Sequence, residues 1–286
     1  MNVCVLGNSH LASLILGWRQ IQQEFADTKL TFYGAPGRLM EFFDVKDGNL
    51  VAGHADLRQH LQWISGSGDA IVTGDFDGYV IYALAFGIRN VLGVFAGHRG
   101  ESLRADERQP VSDHCFMRAI EDVLLGSTAV SLIRRLQQIT DAPILLVPQP
   151  MSSDQDRVPW TLRTLEAGED RIAADTFSTV TTQIADRLGI QVMFQPADTL
   201  TSPMLTNSSY SRGSVRLGGG LTTTHPDDDV THMNAEYGAI ILKRVLQGGV
   251  FRDRADARPM MRTGTPGLNR LFRQAKSGLR RILSPR

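Results

Sequence analysis

Two short blocks at opposite ends of the chain carry residue types that could do acyl-group chemistry together. The first is Gly7-Asn8-Ser9-His10, directly after an apolar run at 2–6. A serine at a strand-to-helix turn lifts its hydroxyl out of the sheet edge. Its N–H also lies where the partial positive charge of a helix N-terminus favours an oxyanion. The second block is Asp227-Asp228-Asp229-Val230-Thr231-His232-Met233-Asn234, in which only Asp229 has the Asp-x-x-His relation to His232. That spacing lets a carboxylate and an imidazole approach one point from a single loop. A serine nucleophile needs such a base, and the base needs an orienting group. Each block also has a plainer reading. Asn8 and Ser9 are favoured helix N-caps, and the three aspartates suit a solvated loop or the cap of the next helix. A phosphate-binding turn has less support, because neither GxGxxG nor a GKS or GKT run is present. The acidic loop lacks the EF-hand calcium spacing, and no CxxC zinc motif occurs. His54, His60, His98, His114 and His225 show no partner spacing, so no metal ligand is assigned. His10 either touches an acyl group or substrate hydroxyl in the cleft, or is a first-turn helix residue beside it.

These blocks need a scaffold that brings the two ends together, and the hydropathy pattern supplies one. Apolar runs at 2–6, 30–33, 79–85, 144–147 and 190–194 alternate with helically spaced stretches at 11–25, 57–64, 112–139, 161–188 and 233–246. This alternation predicts an α/β fold: a three-layer α/β/α sandwich around a mainly parallel, five-stranded, flavodoxin-like sheet. The run 79–85 is nearly continuous, as a central strand covered on both faces should be. Residues 197–228, rich in Thr, Ser, Gly and Asp, read as loop. Function in such sheets gathers at the carboxyl ends of the strands. Residues 7–10, 34–37, 85–90 and 148–150 and the loop before His232 all fall there.

Taken together, the two blocks resemble the SGNH (GDSL-type) hydrolase superfamily. Gly-Asn-Ser-His follows the first strand, with Asn8 where the family usually has Asp. Asp-x-x-His-x-Asn precedes the last body helix, and residues 231–238 (THMNAEYG) are similar to the family's run after its catalytic His. The resemblance covers residues 2–246. It implies a serine ester hydrolase working through an acyl-enzyme, with Ser9 as nucleophile, His232 as base and Asp229 as its orienter. It also implies an oxyanion hole built from the Ser9 N–H, the N–H of a glycine after the second strand, and an Asn side chain after the central strand. Gly37 is the match for the glycine, and it equally fits a Pro-Gly type II turn. The family's Gly-x-Asn is not reproduced. The chain reads Phe86-Gly87-Ile88-Arg89-Asn90, so Asn90 is the candidate but stands one residue late. The resemblance implies no metal and no organic cofactor. The family includes carbohydrate O-acetyl esterases, lipases, thioesterases and acyltransferases. The polar loop at 199–224 suits a small polar or saccharide O-acyl (acetyl) ester better than a long lipid chain. Two alternatives stand beside this one: an acyltransferase using the same triad, and a non-catalytic α/β binding or scaffold protein.

Composition and charge set the outer limits. With 42% hydrophobic and 21% charged residues, the 286-residue chain has enough apolar surface to exclude a disordered protein. No run approaches the 18 uncharged apolar residues of a transmembrane helix. Met1 is followed at once by a strand pattern without a basic n-region, so no secretory signal is read and a cytoplasmic location is expected. Cys4 and Cys115 lie far apart in apolar segments and read as buried free thiols in a reducing compartment. The net charge of zero hides an asymmetry. Residues 252–286 hold ten Lys or Arg against two Asp, a net of +8, so residues 1–251 carry −8. The boundary is therefore drawn between an α/β domain at 1–250 and a basic tail at 251–286. Leu268, Leu271, Phe272, Ala275, Leu279, Ile282 and Leu283 share one helical face, with the basic residues mostly elsewhere. Such a basic amphipathic helix fits peripheral contact with an anionic membrane or a partner. It equally fits packing on the acidic body or a solvated end. Without aromatic interleaving it offers no reading surface to nucleic acid.

Overall fold

The structure, a computed structural model, describes residues 1–65, 70–72, 76–103, 106–218 and 220–251. The amphipathic helix expected at 268–283 lies outside the described residues. In chain order the elements are β1 (Asn2–Gly7), α1 (Leu11–Ile21), β2 (Lys29–Gly34), β3 (Phe43–Lys46), β4 (Asn49–Ala52), α2 (Ala55–Ser65) and β5 (Ala70–Val72). Then come β6 (Gly78–Tyr82), α3 (Ile88–Gly97), β7 (His98–Gly100), β8 (Gln109–Val111), α4 (Asp113–Leu125) and α5 (Thr128–Leu136). They are followed by β9 (Ile144–Val147), α6 (Pro159–Glu166), α7 (Asp170–Leu188), β10 (Gln191–Val192), β11 (Leu200–Ser202), β12 (Leu205–Thr206) and α8 (Ala235–Gln247).

Five strands form one parallel sheet in the order β10-β9-β6-β1-β2. The chain runs outward in one direction from β1 to β2, and in the other through β6, β9 and β10. The reversal point therefore lies between β1 and β6, where an open α/β sheet forms its crevice. Both faces are covered, and the side chains divide by the period of two. Val3, Val5, Val80, Tyr82, Leu145 and Val147 join the apolar layer under α1 and α8. Cys4, Leu6, Tyr79, Ile81, Ile144 and Leu146 join the layer under α2–α5 and α7. That two-sided burial explains why the strands read as unbroken apolar runs, and the architecture is the three-layer α/β/α sandwich.

Several expected boundaries move, each for a local reason. The central strand ends at Tyr82 rather than Ala85, because Ala83, Leu84 and Ala85 all take left-handed φ values of 63°, 50° and 58°. The stretch 112–139 is two helices: Gly126 ends α4, and Ser127 caps α5 by accepting from the Val130 N–H at 3.3 Å. The stretch 161–188 is likewise divided at Gly168, whose φ is +69°. Three small sheets not foreseen from sequence, β3-β4-β5, β7-β8 and β11-β12, lie outside the main one, the last within the stretch 197–228 expected to be loop. Cys115 is exposed rather than buried, since α4 buries Phe116, Ile120 and Leu124 instead; Cys4 is buried, and both thiols are free. No helix among the described residues is long and apolar enough to cross a membrane.

The contact between α1 and α8 decides where the chain's two ends meet. A Cβ on Gly17 would collide with the backbone of Gly238 and Ala239, and one on Gly238 would collide with the Ser13 carbonyl. The helices thus cross with backbone against backbone. By contrast, Gly93 in α3 is exposed and has nothing within 4 Å of a Cβ position. Gly93→Ala should stabilise the fold by up to about 1 kcal/mol through helix propensity. Gly238→Ala should destabilise it by about 1–3 kcal/mol by forcing the helices apart, despite the same propensity gain. Urea unfolding of the two variants checks this; equal effects would mean that the crossing tolerates a side chain.

Candidate active site

Ser9 lies in the turn between β1 and α1. The Leu11 N–H donates to the Asn8 carbonyl at 2.9 Å, and the His10 N–H donates to Asn8 Oδ1 at 3.3 Å. Asn8 is therefore the residue that stabilises the turn, which leaves the Ser9 hydroxyl free of any capping duty. The β1 register pairs Gly7 with Gly34 of β2 and with Tyr82 of β6. The segments after these three strands consequently leave the same sheet edge side by side.

Asp229 and His232 reach that edge from the loop before α8. Asp229 Oδ1 accepts from the backbone N–H of Thr231 and of His232, each at 2.8 Å. Its Oδ2 accepts from His232 Nδ1 at 2.9 Å. One carboxylate thus fixes both the loop and the ring, which is the physical content of the Asp-x-x-His spacing. A carboxylate only accepts, so Nδ1 carries the imidazole proton. Nε2 is then the acceptor, and Ser9 Oγ–H donates to it at 2.9 Å. Asn234 secures the far side of the loop. Its Oδ1 caps α8 by accepting from the Tyr237 N–H at 3.2 Å, and its Nδ2 donates to the carbonyls of Ser209 and Arg212 at 2.8 and 3.0 Å. The Ser153 N–H, in the segment after β9, donates to the Val230 carbonyl at 2.7 Å.

Burial alone would push the Asp229 carboxyl up, but the hydrogen bonds from the His232 backbone and ring and from Thr231 outweigh it, and the net direction is down. Asp229 and His232 side chains each keep 17% of their exposure, enough for a small molecule to reach them. Ser9 is half-buried.

Other expected residues sit differently. Gly37 occupies the turn after β2 with φ +61° and open space around it. The N–H groups of Ser9 and Gly37 take no protein acceptor among the described residues. Asn90 is exposed on the first turn of α3 and is not brought to Ser9, Asp229 or His232 by any hydrogen bond among the described residues. Its neighbour Arg89 turns inward instead. Arg89 Nη1 donates to Ser152 Oγ at 3.0 Å and to Thr231 Oγ1 at 3.1 Å, and it lies 3.5 Å from the buried Asp156.

Two further histidines flank the His232 ring. His10 stacks on it with centroids 4.8 Å apart, and His225 stacks on it at 4.0 Å and 7° between planes. His225 had shown no partner spacing; the signal was His-x-x-x-Asp-x-x-His over 225–232. His225, Asp229 and His232 offer three ligand-type atoms within 4.8 Å of one another. Nearly parallel rings 4.0 Å apart cannot both aim an in-plane nitrogen lone pair at one ion about 2 Å away, so the trio fits a proton network rather than a metal.

Burial, and secondarily the charge of His232, lowers the His10 pKa from 6.5 to about 3. The folded protein therefore keeps His10 neutral while the unfolded chain protonates it near pH 6.5. Stability falls as pH drops through that window, because the unfolded state binds the extra proton. Between pH 7 and pH 5 this contribution is about 2 kcal/mol. His10→Phe should remove most of it, so that its urea midpoint changes less with acidification than that of the parent. An unchanged slope would show that His10 is solvated rather than buried.

No protein-family model matches this sequence, and no curated protein sequence matches it. Solved structures that resemble it include the periplasmic domain of a lipopolysaccharide acetyltransferase from Salmonella ser. Paratyphi A, at 10% identity over 86% of this chain and 82% of that one, with a TM-score of 0.44. They also include the lipase Lip_vut3 from a goat rumen metagenome, at 8% identity over 87% and 98% of the two chains, with a TM-score of 0.42. A third is an aryl esterase of M. smegmatis in an inhibitor-bound form, at 12% identity over 86% and 99%, with a TM-score of 0.39.

Proposed function

We propose that this chain is a serine ester hydrolase of SGNH type that acts through an acyl-enzyme on a small polar or saccharide O-acyl ester. The observation that carries this reading is the unbroken series from Ser9 Oγ to His232 Nε2, and from His232 Nδ1 to Asp229 Oδ2, each link at 2.9 Å. Ser9 Oγ attacks the ester carbonyl as its proton passes to His232 Nε2. Asp229 stabilises the resulting imidazolium without taking the proton itself. The carbonyl oxygen becomes an oxyanion, for which the Ser9 and Gly37 N–H groups are the backbone donors. Collapse of this intermediate breaks the bond to the alcohol, which leaves with the proton from His232. Water then attacks the acyl-Ser9 ester with His232 again as base. The carboxylate product departs, and Ser9 regains its proton.

With Asn90 facing solvent, the oxyanion would rest on the two backbone donors. Loss of one such donor can cost about 10²–10³-fold in rate, so modest turnover on model esters is expected. The short polar side chains of 199–224 favour a polar alcohol over a long acyl chain.

Hydrolysis of a short-chain nitrophenyl ester, together with labelling by a fluorophosphonate probe, tests the reading. The wild type should hydrolyse the ester and be labelled at Ser9. Ser9→Ala should lose at least about 10³-fold in kcat and all labelling. Asp229→Asn should lose about 10³–10⁴-fold in kcat with a smaller change in KM. A wild type that is both inert and unlabelled would exclude the hydrolase.

A further inference from the structure

We propose that His225 is a positioning residue for the Asp229–His232 pair: its neutral ring stacks face-on against the base, and its Nδ1 lies against the carboxylate that orients that base. The inference deepens the hydrolase reading and rests on it for the meaning of the word base.

Three observations carry it. First, the His225 and His232 rings are stacked at 4.0 Å and nearly parallel, and His10 also stacks on His232 at 4.8 Å. Ring contacts from both histidines restrain the base against swinging its Nε2 away from Ser9. Second, His225 Nδ1 lies 3.1 Å from Asp229 Oδ2, the same oxygen that His232 Nδ1 reaches at 2.9 Å. A carboxylate repels a nitrogen lone pair, so the His225 proton sits on Nδ1, in a close electrostatic contact with Oδ2 that the parallel rings keep from being an aligned hydrogen bond. Third, the His225 side chain is only 11% exposed, and its Nε2 is buried without a partner among the described residues. A hydrocarbon ring would fill the same space without burying an unsatisfied nitrogen. The backbone is built to deliver this side chain. The His225 N–H donates to the Ser214 carbonyl at 2.8 Å, beside the bridge that joins Val215 to Thr224.

The electrostatic consequence has a definite sign. An N–H dipole 3.1 Å from Oδ2 withdraws negative potential from the carboxylate that orients His232. The groups that face His225 are His232 and Asp229 from its own loop, Arg216 from the opposing strand segment, and more distantly His10 from the head of α1. Burial, then the charge of His232, lowers the pKa of His225 itself. Removing the His225 nitrogen should make His232 easier to protonate and move the acid limb of the rate profile to higher pH.

The experiment compares wild type, His225→Phe and His225→Asn, each checked for folding by circular dichroism and melting temperature. His225→Phe keeps a ring against His232 but loses the nitrogen; His225→Asn restores an N–H without a ring. For His225→Phe we expect kcat on a nitrophenyl ester to fall about tenfold with KM unchanged. Its acid limb should rise by roughly half a pH unit or more. For His225→Asn the limb should return towards the wild-type position. In parallel, the His232 ring is titrated by nitrogen-15 NMR, which needs no turnover, and its midpoint should move upward in His225→Phe. A midpoint and acid limb within 0.2 pH units of wild type, in a folded His225→Phe, overturn the proposal and leave His225 as packing. If the midpoint moves but the wild type cleaves no ester and Ser9 resists the fluorophosphonate, the coupling stands and the hydrolase falls.

Discussion

The hydrogen bond between Ser9 and His232 joins residues 223 positions apart, and a 2.9 Å bond tolerates little error in where either end is held. That tolerance is met by the crossing of α1 and α8, the helices that begin directly after the two residues. Gly17 and Gly238 let the backbones touch, so the spacing of the crossing is set by main-chain atoms rather than by side chains that can change rotamer. Since interiors are close-packed and transmit strain, a displacement there would be felt at the serine. The apolar layer of α1 and α8 on β1, β6 and β9 supplies the burial that presses the helices together.

Within the site, the Asp229 carboxylate has more than one duty. Its Oδ1 organises the loop through two backbone N–H groups, and its Oδ2 orients the imidazole. The same bonds stabilise its charged form against the cost of burial. Replacing this residue would therefore disturb geometry and electrostatics together, and the two effects cannot be separated by substitution at that position alone. His225 offers a cleaner handle, because its Nδ1 is near Oδ2, at 3.1 Å, while Oδ1 accepts from the loop backbone.

Much of this was legible in the residues. The sheet could be read because both its faces are buried, which makes each strand an apolar run. Ser9, Asp229 and His232 could be read because each stands at a short, local spacing from a strand end or from the other. The helix breaks at Gly126-Ser127 and Gly168 carried ordinary capping and left-handed signals, but the apolar period continued through them and masked the interruption. The family pattern pointed to Asn90; beyond the three left-handed residues after β6, the structure leaves Asn90 exposed and turns Arg89 inward. His225 stood in a local His-x-x-x-Asp-x-x-His spacing, but a polar loop carries no periodicity to say that its ring would stack on His232.

The left-handed passage through Ala83, Leu84 and Ala85 has a further bearing. Non-glycine residues give up about 1–2 kcal/mol each in that conformation. The strand end therefore behaves as a loaded spring beside the crevice. Its latches are few: the Ala83 N–H on the Val147 carbonyl at 2.9 Å, the Ala129 N–H on the Leu84 carbonyl at 3.0 Å, and the Gln149 N–H on the Phe86 carbonyl at 2.7 Å. They tie the spring to β9, α5 and the segment after β9, just ahead of Arg89, which reaches Ser152 and Thr231. Glycine at these three positions would unload the spring at its source, which makes them the natural place to trade a taut crevice wall for a slack one.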